Sequence, residues 1–461
     1  METNYMLERL FNPANVAIIG ASTNPMKSGS RFLKGLIDAK YEGRLYPVNP
    51  KTEKIMNLES YKSIQDVPEE IDLAILAIPN SATLAAITEC AKKKVKFVIV
   101  HAAGFGETGP EGREIQAKMV AVARSSGMRI VGPNCMGIYN PEARFDTIMP
   151  YLNDPEKNES GTVAFVGQSG WGTETVIQEG LNRGLNFSKV ISMGNQCDLT
   201  IAEYFEYLGA DPKTGIISSY MEGLVDGRRL IQAAKEISSK KPIIVWKSGQ
   251  TQSGAKAAAS HTGSLASSDP ILQAAFKQAG IISADSILEL LDFLVAFNSP
   301  YLPQGRRIGI LVEAGGGAVA AADACEKEGL ILPRFSNGIR AEITGYLLKV
   351  GAPKPAAGNP VDLVWPPYGE TPEIIQKCLE IMFSEIDTLL WMTYFPLADE
   401  KFAASVAEIR DKVKKPLFVV PANPLSQALR IYARRGMPTF TRPEHAVKAI
   451  SALVRFVEMS G

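Results

Sequence analysis

The stretch Ala257-Ala258-Ala259-Ser260-His261-Thr262-Gly263-Ser264-Leu265 carries one of only three histidines in 461 residues. Small residues flank it, with Ser253, Gly254 and Ala255 before and Ala266, Ser267 and Ser268 after. No bulky neighbour shields the imidazole, so a loop here presents it to more than one partner. A neutral imidazole is a competent nucleophile near neutral pH and can carry a phosphoryl group. Composition alone favours a plainer reading, a helix end with a surface histidine. Two further features bear on the choice. Gln168-Ser169-Gly170 follows an apolar run and opens a helix, where backbone amides hold an anion and the Ser169 and Thr173 hydroxyls add donors. Glu222 ends another apolar run, where an unpaired charge is costly. A carboxylate that accepts an imidazole Nδ1 proton leaves Nε2 free to attack. Taken alone, a solvent-facing glutamate accounts for Glu222 equally simply.

These residues must be held by strands and helices, and the pattern supplies them. Val16–Gly20, Arg44–Lys51, Leu73–Ile78, Phe97–Val100 and Arg129–Val131 read as buried strands. Helical patterns alternate with them, as at 81–93 and 110–125, which predicts a doubly wound parallel sheet. Ligands of such sheets sit at the carboxyl ends of the strands. There lie Gly20 to Ser30, Pro79-Asn80, His101 to Glu107 and Gly132 to Gly137. A phosphate-bearing, nucleotide-like ligand is the expected occupant; each cluster by itself is also an ordinary set of turn residues. The spacing after Gly20 is not G-x-G-x-x-G, so the dinucleotide fingerprint is absent. A polar, proline-bearing linker at 151–160 introduces a second alternating unit with strands at 162–166, 189–195, 215–223 and 242–249. Trp171 stands where a hydrolase nucleophile elbow needs glycine, so that motif fails. A Pro/Gly linker at 298–305 introduces a third unit, with strands at 307–312, 389–395 and 417–420. Its Gly315-Gly316-Gly317 is a weak phosphate-loop look-alike that more often serves close helix–strand packing. The expected domains are 1–150, 151–299 and 300–461.

Composition narrows the classes. Forty-nine basic residues balance forty-nine acidic ones, so no global field recruits nucleic acid or membrane. Hydrophobic residues at 46% support packed cores. The five cysteines are scattered without a C-x-x-C pair, which argues against a zinc site or a disulfide framework and fits a reducing cytosol. The N-terminus lacks a basic and an apolar signal region, and no apolar run reaches membrane-span length. A cytoplasmic enzyme with no resident metal is the expectation.

Four motifs occur in order: Gly-Pro-Asn-Cys-Met-Gly (132–137), Gln-Ser-Gly (168–170), Tyr-Met-Glu-Gly (220–223) and Ala-Ser-His-Thr-Gly (259–263). With them, nearly the whole chain resembles the alpha subunit of the NDP-forming acyl-CoA synthetases, relatives of succinyl-CoA synthetase. The resemblance implies a Rossmann-like CoA-binding domain followed by two flavodoxin-like, doubly wound domains. It implies that His261 is a phosphohistidine, that Glu222 stabilises it, and that Gln168, Ser169 and Gly170 receive phosphate. Gly20, Ser22, Lys51, Pro79, Asn80, Ala102, Gly104 and Phe105 would lie against CoA, and Asn134 and Cys135 would border the acyl-phosphate site. Trp171 and the Glu313–Gly317 turn depart from the family pattern, which leaves acyl specificity and the role of the third unit open.

No P-loop and no ATP-grasp segment is legible in the sequence. The family places the ATP-grasp module in a beta subunit or a fused half, together with ADP and Mg²⁺. The resemblance therefore implies an α2β2 assembly and a chain inactive alone, converting acyl-CoA, phosphate and ADP to carboxylic acid, CoA and ATP. No acetyltransferase segment is legible either, which disfavours the protein-acylating relatives. The reading from another class is a CoA- or nucleotide-sensing regulatory protein without chemistry.

Overall fold

A computed structural model describes residues 2–149, 159–251, 253–254, 269–313, 315–351, 357–364, 371–393, 399–421 and 426–460. The chain divides into two compact units, Met1–Gln178 with Asn186–Ile287, and Glu179–Leu185 with Leu288–Gly461.

The strands form where the apolar runs are short and uninterrupted. In chain order they are β1 (Asn15–Ile19), β2 (Arg44–Val48), β3 (Lys54–Ile55), β4 (Leu58–Glu59), β5 (Leu73–Leu76), β6 (Phe97–Val100), β7 (Arg129–Val131), β8 (Gly137–Asn140) and β9 (Phe145–Asp146). There follow β10 (Val163–Gly167), β11 (Phe187–Ser192), β12 (Ile216–Met221), β13 (Ile243–Lys247) and β14 (Ile281–Ala284). The second unit holds β15 (Ile308–Val312), β16 (Val361–Asp362), β17 (Thr388–Thr393) and β18 (Leu417–Pro421).

In the first unit one sheet has the order β2-β1-β5-β6-β7 and is parallel throughout. Its central strands are buried along their length, as parallel strands covered by helices on both faces must be. The other sheet has the order β14-β13-β12-β10-β11-β8-β9, with β10 to β14 parallel and β8 antiparallel to β11. The hairpin β8–β9 and strand β14 extend the sheet beyond the strands legible in the sequence. The sheet of the second unit, β16-β15-β17-β18, is again parallel. The architecture is α/β built on parallel sheets.

The helices follow from capping and periodicity. Helix Gly227–Ser238 starts where Asp226 accepts from Arg229 N, and buries Leu230, Ala233, Ala234 and Ile237 at helical spacing. Helix Gly315–Lys327 begins three residues earlier than its apolar pattern predicts. A Cβ on Gly317 would come 2.3 Å from Met392 Cε, and one on Gly315 2.7 Å from Asp362 Oδ2. Two of the three glycines thus let the helix start close to the sheet. Among the described helices none is long and apolar enough to cross a membrane.

Candidate active site

Three neighbouring strand ends of the second sheet meet around Glu222. Chain direction is shared by β10, β12 and β13, so Gln168, Glu222 and Lys247 arrive at the same edge. The Gln168 carboxamide oxygen accepts from the backbone N–H of Glu222 and, at 2.9 Å, from that of Gly223. It ties the turn after β12 to the turn after β10. Glu222 is 7% exposed, and the Tyr220 hydroxyl donates to its Oε1 at 3.0 Å. Burial, opposed by a hydrogen bond with Ser248 and reinforced by the Glu222 charge, pushes the Tyr220 phenol up to about 12. Tyr220 therefore stays a donor at neutral pH. Lys247 is 5% exposed and donates to the Ser248 carbonyl at 2.5 Å. Sequence reasoning gave this buried ammonium no part; its place at the end of an apolar strand was the available signal.

Ser169 opens helix Gly170–Asn182. Its Oγ accepts from Gly172 N at 3.2 Å, and its carbonyl accepts from Thr173 N at 3.0 Å and Thr173 Oγ1 at 2.7 Å. Ser169 and Thr173 so spend hydroxyl capacity on the helix itself. Gly172 N and Thr173 N are thereby occupied, so an anion at this helix start would meet the amides ahead of them. A Cβ on Gly167 would lie 2.3 Å from Thr173 Oγ1, so the strand-to-helix turn requires glycine. His261 lies outside the described residues.

The first sheet gathers the residues assigned to CoA. Gly20, Ser22, Lys51, Pro79, Asn80, Ala102, Gly104 and Phe105 all follow the carboxyl ends of the adjacent strands β1, β2, β5 and β6. Ser22 is buried and its Oγ accepts from Asn24 N at 3.1 Å. Asn49 donates to the Ala21 carbonyl at 2.7 Å and accepts from Lys51 N at 2.9 Å, so it joins two of these loops. Lys51 itself is exposed. Pro79 precedes helix Asn80–Lys92, and Asn80 donates to Gly104 O at 3.3 Å. Gly104 has a φ of +101°, open to glycine, and Phe105 is fully buried.

Asn134 and Cys135 follow β7, and Asn134 N donates to Ala102 O at 2.9 Å. The Cys135 side chain belongs to the core, its Sγ 3.5 Å from the Val100 carbonyl. Burial, only partly offset by backbone hydrogen bonds, pushes that thiol up to about 12, so it is a poor nucleophile. His101, an incidental residue on sequence grounds, places Nδ1 2.9 Å from the Cys135 carbonyl and its ring edge-on to Phe32. His445 pairs with Asp292 in the second unit at 3.0 Å. Glu107 and Asn195, also unassigned by sequence, connect the loop after β6 to the turn after β11 at 2.5 Å. Among the described residues no group of three or more His, Cys, Asp or Glu is placed to hold a metal ion.

Two segments of the chain match known families. Residues 14–141 match the family described as a CoA binding domain, and residues 160–297 the succinyl-CoA ligase like flavodoxin domain. The chain is 38% identical to the alpha subunit of acetate–CoA ligase [ADP-forming] II of Pyrococcus furiosus, over 98% of both chains. It is 36% identical to acetate–CoA ligase [ADP-forming] I of Archaeoglobus fulgidus, over 98% of this chain and 64% of that protein. Among solved structures, the dinucleotide-forming acetyl-coenzyme A synthetase 1 of Ca. Korarchaeum cryptofilum, in complex with phosphate and ADP, superposes with a TM-score of 0.87 at 32% identity. That match covers 98% of this chain and 97% of the other.

Proposed function

The chain belongs to the ADP-forming acetyl-CoA synthetase family, as an alpha-subunit-like member with a CoA-binding domain, and from that premise we propose that it interconverts an acyl-CoA and a carboxylic acid through a phosphorylated His261. Phosphate attacks the thioester carbonyl; a C–O bond forms, the C–S bond breaks, and CoA leaves as thiol after taking a proton. The His261 imidazole then attacks phosphorus of the acyl phosphate, and the carboxylate leaves. The phosphoryl group passes finally to ADP, which with Mg²⁺ sits on an ATP-grasp beta subunit in an α2β2 assembly. Gly20, Ser22, Lys51, Pro79, Asn80 and the 102–105 loop take CoA, and Asn134 and Cys135 border the acyl phosphate through their backbone.

The observation that carries this reading is the joint placement of Glu222, Gln168 and a helix start at one sheet edge. A carboxylate held by Tyr220 is suited to orient an imidazole, and the amides of the helix starting at Gly170 suit a phosphoryl group without a cationic side chain. Domains at 1–150, 151–299 and 300–461 fit this division of labour.

The test is labelling. Incubated with its partner, acetyl-CoA and radioactive phosphate, the chain should take up about one phosphate in a base-stable, acid-labile linkage, and His261→Ala should take up none. If His261→Ala still supports ATP formation with the partner present, the reading is wrong.

A further inference from the structure

The loop after β6 and the turn after β12 belong to different sheets, yet one run of side chains joins them. Glu107 Oε1 accepts from Gly104 N at 2.5 Å, and its Oε2 accepts from Phe105 N at 3.2 Å and from Asn195 Nδ2 at 2.5 Å. Asn80 holds the other side of the same loop through Gly104 O. Next to Asn195, Gln196 donates from Nε2 to Gly223 O at 3.0 Å. Gly223 N and Glu222 N in turn rest on Gln168 Oε1.

Two features of Gln196 go beyond what folding asks. It is a non-glycine residue with a φ of +45°, a conformation that costs free energy and collects at functional sites. It is also 3% exposed, and its Oε1 has no hydrogen-bond partner among the described residues. The turn is already anchored without these side chains. Asn195 N donates to Pro133 O and Cys197 N to Gly132 O, each at 3.0 Å, and Met193 N donates to Gly167 O at 2.8 Å. Gly194 packs so closely on Pro133 that a Cβ would lie 2.2 Å from its carbonyl oxygen.

We propose that Glu107, Asn195 and Gln196 form a strap that sets the loop at 102–105 relative to the turn bearing Glu222, and so are positioning residues for handing the acyl group from thioester to phosphate. The strap rests on the reading in which the first loop takes CoA and the second turn serves phosphate. A small misplacement between reacting groups costs rate more than binding.

The experiment uses the full chain together with its beta partner, without nucleotide, and with acetyl-CoA, inorganic phosphate and acetyl phosphate as probes. In Asn195→Ala, phosphate-dependent release of CoA thiol at saturating acetyl-CoA should slow by about tenfold or more. CoA affinity, and phosphorylation by acetyl phosphate, which bypasses the thioester step, should stay within about twofold of wild type. Glu107→Gln keeps side-chain length and one acceptor oxygen, so it should lose less thiol release than Glu107→Ala. Unchanged thiol release in Asn195→Ala overturns the strap. So does a parallel loss of thiol release, CoA binding and acetyl-phosphate labelling, which is general damage. A wild-type complex with the partner that neither releases thiol nor accepts label removes the parent reading and the strap with it; an active wild type with an indifferent Asn195→Ala removes the strap alone.

Discussion

Glu222 occupies a position a carboxylate would avoid without a task. It is buried at the end of a strand of which all six residues are buried, with a tyrosine hydroxyl donating to it and its own backbone N–H fixed by Gln168. Removing the charge while keeping the shape isolates its electrostatic part. On the proposed reading, Glu222→Gln slows phosphorylation of His261 by about tenfold or more, because an amide stabilises an imidazolium far less than a carboxylate does. CoA affinity, measured by calorimetry, should be unchanged, since the residue lies on the second sheet. A fall in CoA affinity instead would assign Glu222 another part. Cys135 makes the contrasting case: a motif residue whose side chain is spent on the core, so that only its backbone faces the loops.

At the scale of elements, the turns after parallel strands do the positioning, and glycines set how tightly they close. Gly20 follows β1 with a φ of +92°, and a Cβ there would sit 2.4 Å from the Ala77 carbonyl oxygen. A Cβ on Gly29, in the first turn of the following helix, would sit 2.2 Å from Gly20 O. Both obstacles are backbone atoms, which cannot rotate away. Gly20→Ala should therefore cost about 2–4 kcal/mol, a positive-φ penalty added to overpacking. The same substitution should weaken CoA binding, because the loop from Ala21 must move to accommodate it. Thermal unfolding and calorimetry on one preparation check both; an unaltered melting temperature would refute the close-packing argument.

Across the molecule, charge is balanced overall, and some of it is buried in pairs. In the first unit Lys189 and Asp211, both nearly buried, meet at 2.8 Å, and Asp211 also accepts from Thr214 Oγ1 at 2.8 Å. Burial raises the Asp211 carboxyl, but the hydrogen bonds from Lys189 and Thr214 outweigh it and leave the pKa lowered. Glu107 behaves alike: burial opposes ionisation, and the donors from Asn195, Gly104 and Phe105 more than compensate. A lowered carboxyl stabilises the fold fully above its ordinary pKa, and that contribution is lost as pH falls through the lowered value. The urea midpoint should hold down to about pH 5 and fall below about pH 4. Asp211→Ala strands a buried ammonium and should cost about 3–5 kcal/mol at neutral pH. Its acid-side loss should also be shallower than that of wild type, since one of the titrating groups is gone.

The sequence by itself determined what is local. Apolar runs of four to six residues marked most strands, and the Gly, Pro and Asn clusters after them marked where those strands end. Four ordered motifs led to the family. Short strands without an apolar run escaped: β8, of four residues, joins the second sheet through β11, far along the chain, and β9, of two, joins through β8. What only the tertiary structure decided is which distant residues share a hydrogen bond. Gln168 meets Glu222 54 residues away, and Glu107 meets Asn195 88 residues away. No periodicity encodes such pairs, because side-chain polarity repeats with the local helix or strand, whereas a contact between two turns depends on which strands pair and how the sheets pack. Lys247 was hidden for the same reason: a lysine at a strand end reads as solvated until the neighbouring strand ends are seen to bury it.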